Sequence, residues 1–168
     1  GEEERSLPLP YFLDAGKDCT KVVLDWGDGR EKEIEVEDGK ARLINLLPGE
    51  TYHWTGFSKE GEVLREGVLE VSQRAPRNIE AGGVTNIRDA GYWKGKDGKT
   101  IKGEMIYRSS RLSENGSGES LLTEDGKTVL LSDLGIKTEI DLRKTRDGEN
   151  GGIEESVLGD GVRYCSIP

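Results

Sequence analysis

One histidine, two cysteines and one methionine are the whole stock of imidazole and sulfur ligands in this chain. A Ser-His-Asp triad or a histidine-based zinc centre would have to be built on His53, and neither a nucleophile elbow nor a Cys-x-x-Cys pair accompanies it. Cys19 and Cys165 fall in opposite halves of the sequence, so no framework disulfide is expected and the redox compartment stays open. No apolar run approaches the roughly 20 residues of a membrane-spanning helix, and the polar start Gly1-Glu-Glu-Glu-Arg5 lacks the apolar stretch of a signal peptide. Basic charge is also in short supply, since the net charge is -9. That balance argues against nucleic acid or a membrane surface as the main partner, because both are held by clustered lysine and arginine.

The first part of the chain reads as β structure. Leu7 to Leu13, with two prolines, suits an extended edge. Thr20 to Trp26 is a β-branched strand, and Gly27-Asp28-Gly29 supplies a tight turn. Glu31 to Glu37 alternates, Ile34 and Val36 facing one way and Glu33, Glu35 and Glu37 the other. Asp38-Gly39 turns the chain, Ala41 to Leu47 returns, and Glu62 to Ser72 closes the module with Val63, Leu64, Val68, Leu69 and Val71. The segment Leu46-Leu-Pro-Gly-Glu-Thr-Tyr-His-Trp54 resembles the tyrosine corner of fibronectin type III and immunoglobulin-like sandwiches, with Tyr52 as the corner residue. Asp25-Trp-Gly-Asp-Gly29 is similar to another immunoglobulin-like repeat, the PKD type, so the subfamily stays open. Gln73-Arg-Ala-Pro-Arg77 marks the boundary.

After that boundary the pattern changes. Gly95-Lys-Asp-Gly-Lys-Thr100 is a hairpin turn. It is not a nucleotide loop, because Trp93 stands where a Walker motif needs glycine, and Leu121 does the same before the Gly-Lys-Thr at 126–128. No cofactor is expected. Thr123 caps a helix with Glu124 and Asp125 in its first turn, Val129, Leu130, Leu131 and Leu134 form the buried face, and Gly135 ends it. Ile136 to Leu142 and Gly161 to Ile167 are strands, giving an α/β domain with a partly parallel sheet. Lys144 to Gly152 is a polar, glycine-rich linker, suited to a mobile lid or a protease-sensitive loop.

Three phrases in this half set arginine beside apolar anchors: Asn86-Ile-Arg-Asp-Ala-Gly91, Ile106-Tyr-Arg-Ser-Ser-Arg-Leu112 and Thr138-Glu-Ile-Asp-Leu-Arg143. Guanidinium forks at fixed places suit bidentate capture of an oxyanion. With Leu134-Gly135-Ile136 between the second and third, four phrases match in order, and residues 77–168 resemble the bacterial tyrosine and dual-specificity phosphatase family. The resemblance implies a cysteine-dependent hydrolase of phosphotyrosine or related phosphate monoesters. Carried over by position, it makes Asp141 the candidate general acid and Arg88, Arg108 and Arg143 the candidate substrate-binding residues. The alternative for Asp141 is that it pairs with a nearby arginine and holds the strand end in place.

That family's nucleophile lies in a later His-Cys-x-x-Gly-x-x-Arg loop, which these 168 residues do not contain. Cys165 follows Tyr164 with no histidine before it and no glycine turn after it, so it reads as a strand residue. The expected organisation is a two-domain α+β chain: an immunoglobulin/fibronectin III-like β-sandwich at 1–75, then an incomplete α/β phosphatase-like domain at 76–168. Its expected partners are a phosphorylated substrate and the missing C-terminal part of the phosphatase domain, as a companion chain or an exchanged segment. The immunoglobulin-like module favours a secreted or periplasmic setting. A second reading makes the chain a non-catalytic, phosphate-binding interaction protein, and a Cys-x5-Arg loop encoded downstream of Pro168 would distinguish the two.

Overall fold

The structure is a computed structural model that describes residues 10–143 and 153–167. The chain divides into two compact units, one of residues 1–78 with 90–103 and the other of 79–89 with 104–168.

The first unit carries strands β1 (Tyr11–Asp14), β2 (Lys21–Asp25), β3 (Glu31–Glu37), β4 (Lys40–Leu43), β5 (Thr51–Phe57) and β6 (Val63–Glu70). They form one antiparallel ladder in the order β1-β4-β3-β2-β5-β6. β3 is where the ladder changes partners, since Glu31 to Glu35 pair with β2 while Val36 and Glu37 pair with β4. Alternation in β3 is as the pattern predicts, with the glutamates exposed and Ile34 and Val36 half-buried. β4 ends at Leu43, short of the expected Leu47, because Asn45 takes a left-handed backbone that a ladder cannot continue through.

Leu13, Ala15, Cys19, Val22, Leu24, Ala41, Leu43 and Tyr52 form the buried core. The Tyr52 hydroxyl accepts a hydrogen bond from Leu47 N at 2.8 Å, the bond expected of that corner. Trp26 packs edge-on against the Tyr52 ring, with centroids 4.9 Å apart. Packing departs from the sequence reading in β6, where Val63, Leu64 and Val68 are exposed and only Leu69 and Val71 reach the core. Among the described residues β6 lies at the sheet edge, paired with β5. The boundary is also more ordered than a linker, since buried Arg77 donates from Nη2 to Asn45 O at 2.6 Å.

The second unit begins within β7 (Arg77–Ala81), at Ile79; β7, β8 (Val84–Asp89) and β9 (Tyr107–Arg108) make a three-stranded sheet, and β10 (Thr138–Asp141) pairs in parallel with β11 (Arg163–Ser166). Between them runs α1 (Glu124–Thr128), continued by a π-helical turn over Val129–Asp133. Thr123 Oγ1 caps the helix by accepting from Gly126 N at 3.0 Å, and Gly135 follows at φ 64°, the left-handed stop that its position predicts. Val129 and Leu130 pack into a core with Ile79, Ala81, Val84, Ile87, Leu112, Leu122, Leu158 and Val162, while Leu131 and Leu134 lie against its margin. Three residues at the carboxyl ends and outer face of the parallel pair, Ile140, Leu142 and Ile167, are exposed. The expected linker at 144–152 lies outside the described residues.

Candidate functional site

All four candidate residues fall in the second unit, where they form two pairs on two different sheets. Arg88 on β8 stands directly opposite Arg108 on β9 in the antiparallel register. Side chains opposed in this way share a face with Cβ atoms about 5 Å apart, so two like charges here repel unless an anion lies between them. Arg108 is exposed and Arg88 half-buried. The Arg88 Nε is buried and has no hydrogen-bond partner among the described residues. The neighbouring side chains explain why β8 is fixed: Ile87 is in the core, and the buried Asp89 carboxylate accepts from Glu104 N at 2.8 Å.

The second pair closes on itself. Asp141 ends β10, and its carboxylate accepts from Arg143 N at 2.9 Å, from Arg143 Nε at 3.0 Å and from Arg143 Nη2 at 2.6 Å. Tyr164 on β11 donates its hydroxyl to the same carboxylate at 2.8 Å. The remaining Arg143 donors go to Ser113 O at 2.9 Å, Ser113 Oγ at 2.8 Å and Asn115 Oδ1 at 3.2 Å. Both side chains are withdrawn from solvent, at 5% exposure for Asp141 and 15% for Arg143.

Burial alone would raise the Asp141 pKa, but the hydrogen bonds from Arg143 and Tyr164 outweigh it and hold the carboxyl below its ordinary value. Asp141 is thus an ionised acceptor in this arrangement. Burial together with the bond to Asp141 pushes the Tyr164 hydroxyl up to about 12, which keeps it a donor. Arg143 has every nitrogen of its fork engaged, which leaves no donor face for a phosphate.

Glu139 completes the cluster, and the sequence reading passed over it. It lies two residues before Asp141, hence on the same face of β10, and is half-buried. Burial raises its pKa, against a hydrogen bond from Ser156 Oγ at 2.5 Å and the pull of Arg143. Two carboxyls on one strand face are therefore pushed in opposite directions, Glu139 toward holding a proton and Asp141 toward losing it. The period-2 alternation of the strand was the available signal. Nothing local pointed to Ser113 or Ser156, whose partners lie 30 and 17 residues away.

No group of three or more His, Cys, Asp or Glu residues suited to a metal occurs among the described residues. His53 is exposed on β5 and Cys165 half-buried on β11. A family model for the tyrosine phosphatase family matches residues 79–168, which is more than half of the chain. The chain belongs to the tyrosine phosphatase family. Comparison with the curated proteins and with the solved structures matches nothing. The phosphatase match starts at Ile79, where the second compact unit starts, and takes in all four candidate residues and Glu139.

Proposed function

We propose that the second unit is part of a cysteine-dependent phosphatase domain that takes phosphotyrosine or a related phosphate monoester, and that Arg88 and Arg108 form its oxyanion-recognising pair. The register that sets these two arginines opposite each other on β8 and β9, with the Arg88 Nε without a partner among the described residues, carries the proposal. A bound phosphate would accept charge-assisted hydrogen bonds from both and cancel their repulsion. Asp141 and Arg143 then act on the site by position. Their clasp ties the end of β10 to Ser113, Asn115 and Tyr164, and the ionised state of Asp141 suits an anchor better than a proton donor.

The nucleophile of such a reaction is a thiolate in a Cys-x5-Arg loop, and these 168 residues contain none. Arginines alone bind a phosphate ester without dividing its hydrolysis into two easier steps, so this chain binds and does not turn over. The first unit we read as an immunoglobulin or fibronectin III-like sandwich at the front of the phosphatase. The order of its ladder, with β3 shared between β2 and β4, and the Tyr52 hydroxyl bond support that reading.

Titration of the purified chain with inorganic phosphate, followed by calorimetry, tests the pair. Arg88→Gln or Arg108→Gln is expected to weaken binding roughly tenfold to a hundredfold, the value of a charge-assisted hydrogen bond. Equal affinity in both variants would remove the pair from the site. Hydrolysis of an aryl phosphate by the chain, lost on Asp141→Asn, would overturn the assignment of Asp141 as an anchor and the expected inactivity together.

A further inference from the structure

Residues 92–102 hold four lysines, Lys94, Lys96, Lys99 and Lys102, against one aspartate, Asp97, in a chain whose net charge is -9. An average over the whole chain hides this reversal of sign. The segment is a β-hairpin: Tyr92 N donates to Ile101 O at 2.8 Å, Ile101 N to Trp93 O at 2.9 Å and Gly95 N to Lys99 O at 2.7 Å. Gly98, at φ 79°, makes the turn, and Asp97 Oδ1 accepts from Lys99 N at 3.1 Å.

The hairpin is pinned at its base. A Cβ on Gly91 would lie 2.4 Å from Gly103 Cα, and one on Gly103 would lie 2.2 Å from the Tyr92 ring, so these two glycines let the strands and the ring close tightly. Beyond that base every residue from Trp93 to Lys102 is exposed. Trp93 and Ile101, facing each other across the hairpin, are 48% and 55% exposed. Lys94, Lys96 and Lys102 make no ion pair among the described residues, and Lys99 only a long one to Asp97 at 3.7 Å.

We infer that this hairpin is a docking element for an anionic lipid bilayer. An exposed tryptophan beside an isoleucine, ringed by lysines on long apolar stems, has the chemistry of the membrane interface: the ring sits among the headgroups and the ammonium groups reach the phosphates. A protein partner fits less well, because a stable interface takes about 800 Å² from each side and a hairpin of this size offers no groove or apolar core of that extent. A bilayer needs only the inserted ring and the summed attraction of the lysines. Asp97 within the hairpin and Asp89 and Glu104 at its base offset the four lysines only in part, and more distant acidic charges are screened beyond a Debye length of about 8 Å at physiological salt.

Cosedimentation of the full 168-residue chain with vesicles, read together with tryptophan emission, tests this independently of any phosphate binding or catalysis. Binding is expected to vesicles of phosphatidylcholine with 30% phosphatidylserine, by the charge argument above, and far less to phosphatidylcholine alone. Each Lys→Gln change in the hairpin should weaken it by about fivefold, so that Lys94→Gln/Lys96→Gln/Lys99→Gln/Lys102→Gln loses a hundredfold or more. Trp93→Ala should abolish a blue shift on binding while leaving the spectra of Trp26 and Trp54 in place. All five positions are exposed, so the variants are expected to keep the parent's circular dichroism. No binding up to millimolar lipid, binding that survives the fourfold change, or lysine-dependent capture of an oligonucleotide or acidic peptide with none of vesicles would overturn the inference.

Discussion

Replacing Asp141 by asparagine separates an anchor from a proton donor. The change keeps the size of the side chain and its ability to accept from the Tyr164 hydroxyl, but leaves the Arg143 guanidinium without its counter-charge. With Arg143 at 15% exposure and Asp141 at 5%, this is a largely buried ion pair. Removing one partner of such a pair costs about 3 to 5 kcal/mol, chiefly because the other charge stays buried and uncompensated. Arg143 keeps its bonds to Ser113 and Asn115, which places the expected loss at the lower end of that range, about 3 kcal/mol. The loss falls on the β10–β11 ladder, where Ile167 N donates to Asp141 O at 2.9 Å. Amide exchange read by mass spectrometry on peptides spanning 136–143 and 163–167 should therefore be faster by about a hundredfold in Asp141→Asn, since each 1.4 kcal/mol is worth tenfold in the opening equilibrium. The pH dependence follows from the lowered pKa. A carboxyl whose folded pKa lies below its unfolded value contributes stability that is present above the unfolded pKa, about 3.9, and is lost as pH falls through the folded one. The parent ladder should lose protection on acidification through that window, and the asparagine variant should lack that component. Exchange in Asp141→Asn within a factor of three of the parent at neutral pH would refute the clasp.

Three other expectations rest on separate observations. Tyr52→Phe keeps the buried ring against Trp26 but strands the Leu47 N–H, at a cost of about 1 to 3 kcal/mol, to be read from urea unfolding followed by tryptophan emission, and an unchanged midpoint would count against the corner bond. Glu139 titrates in the opposite sense to Asp141: its raised pKa gives stability that is complete below the unfolded value of about 4.3 and is lost as pH rises through the folded pKa, so Glu139→Gln should be more stable than the parent at pH 7 and show a flatter profile from pH 4 to 7 in thermal scans. Gly126→Ala would ordinarily favour a helix by about 1 kcal/mol, yet its Cβ would lie 2.2 Å from Gly82 O, so a net loss of about 1 to 3 kcal/mol in denaturant unfolding is expected and a gain would show that the approach relaxes.

Local chemistry made much of the fold legible in the sequence. Alternation gave β3 its end points and its two faces, Thr123 and Gly135 bounded the helix, and the spacing from Leu47 to Tyr52 announced the hydroxyl bond. These are effects of a few neighbouring residues, set by backbone sterics and by hydrogen bonds that close within a turn. The family was legible without coordinates as well, since the tyrosine phosphatase family model matches residues 79–168. Which arginine has donors to spare was a different kind of question. Arg88 and Arg143 look alike as sequence, each beside an aspartate and an apolar anchor, but Arg143 is saturated by Ser113 and Asn115 from some 30 residues away while Arg88 meets Arg108 across a strand pair. The same holds for the two carboxyls of β10. Burial raises both, but Asp141 is held down by Arg143 two residues on and by the Tyr164 hydroxyl from the neighbouring strand, while at Glu139 burial outweighs the hydrogen bond from Ser156. Charge state and hydrogen-bond partners depend on what surrounds a group in three dimensions, so the sequence named the residues and the tertiary structure set Arg88 opposite Arg108 and closed Asp141 and Arg143 on each other.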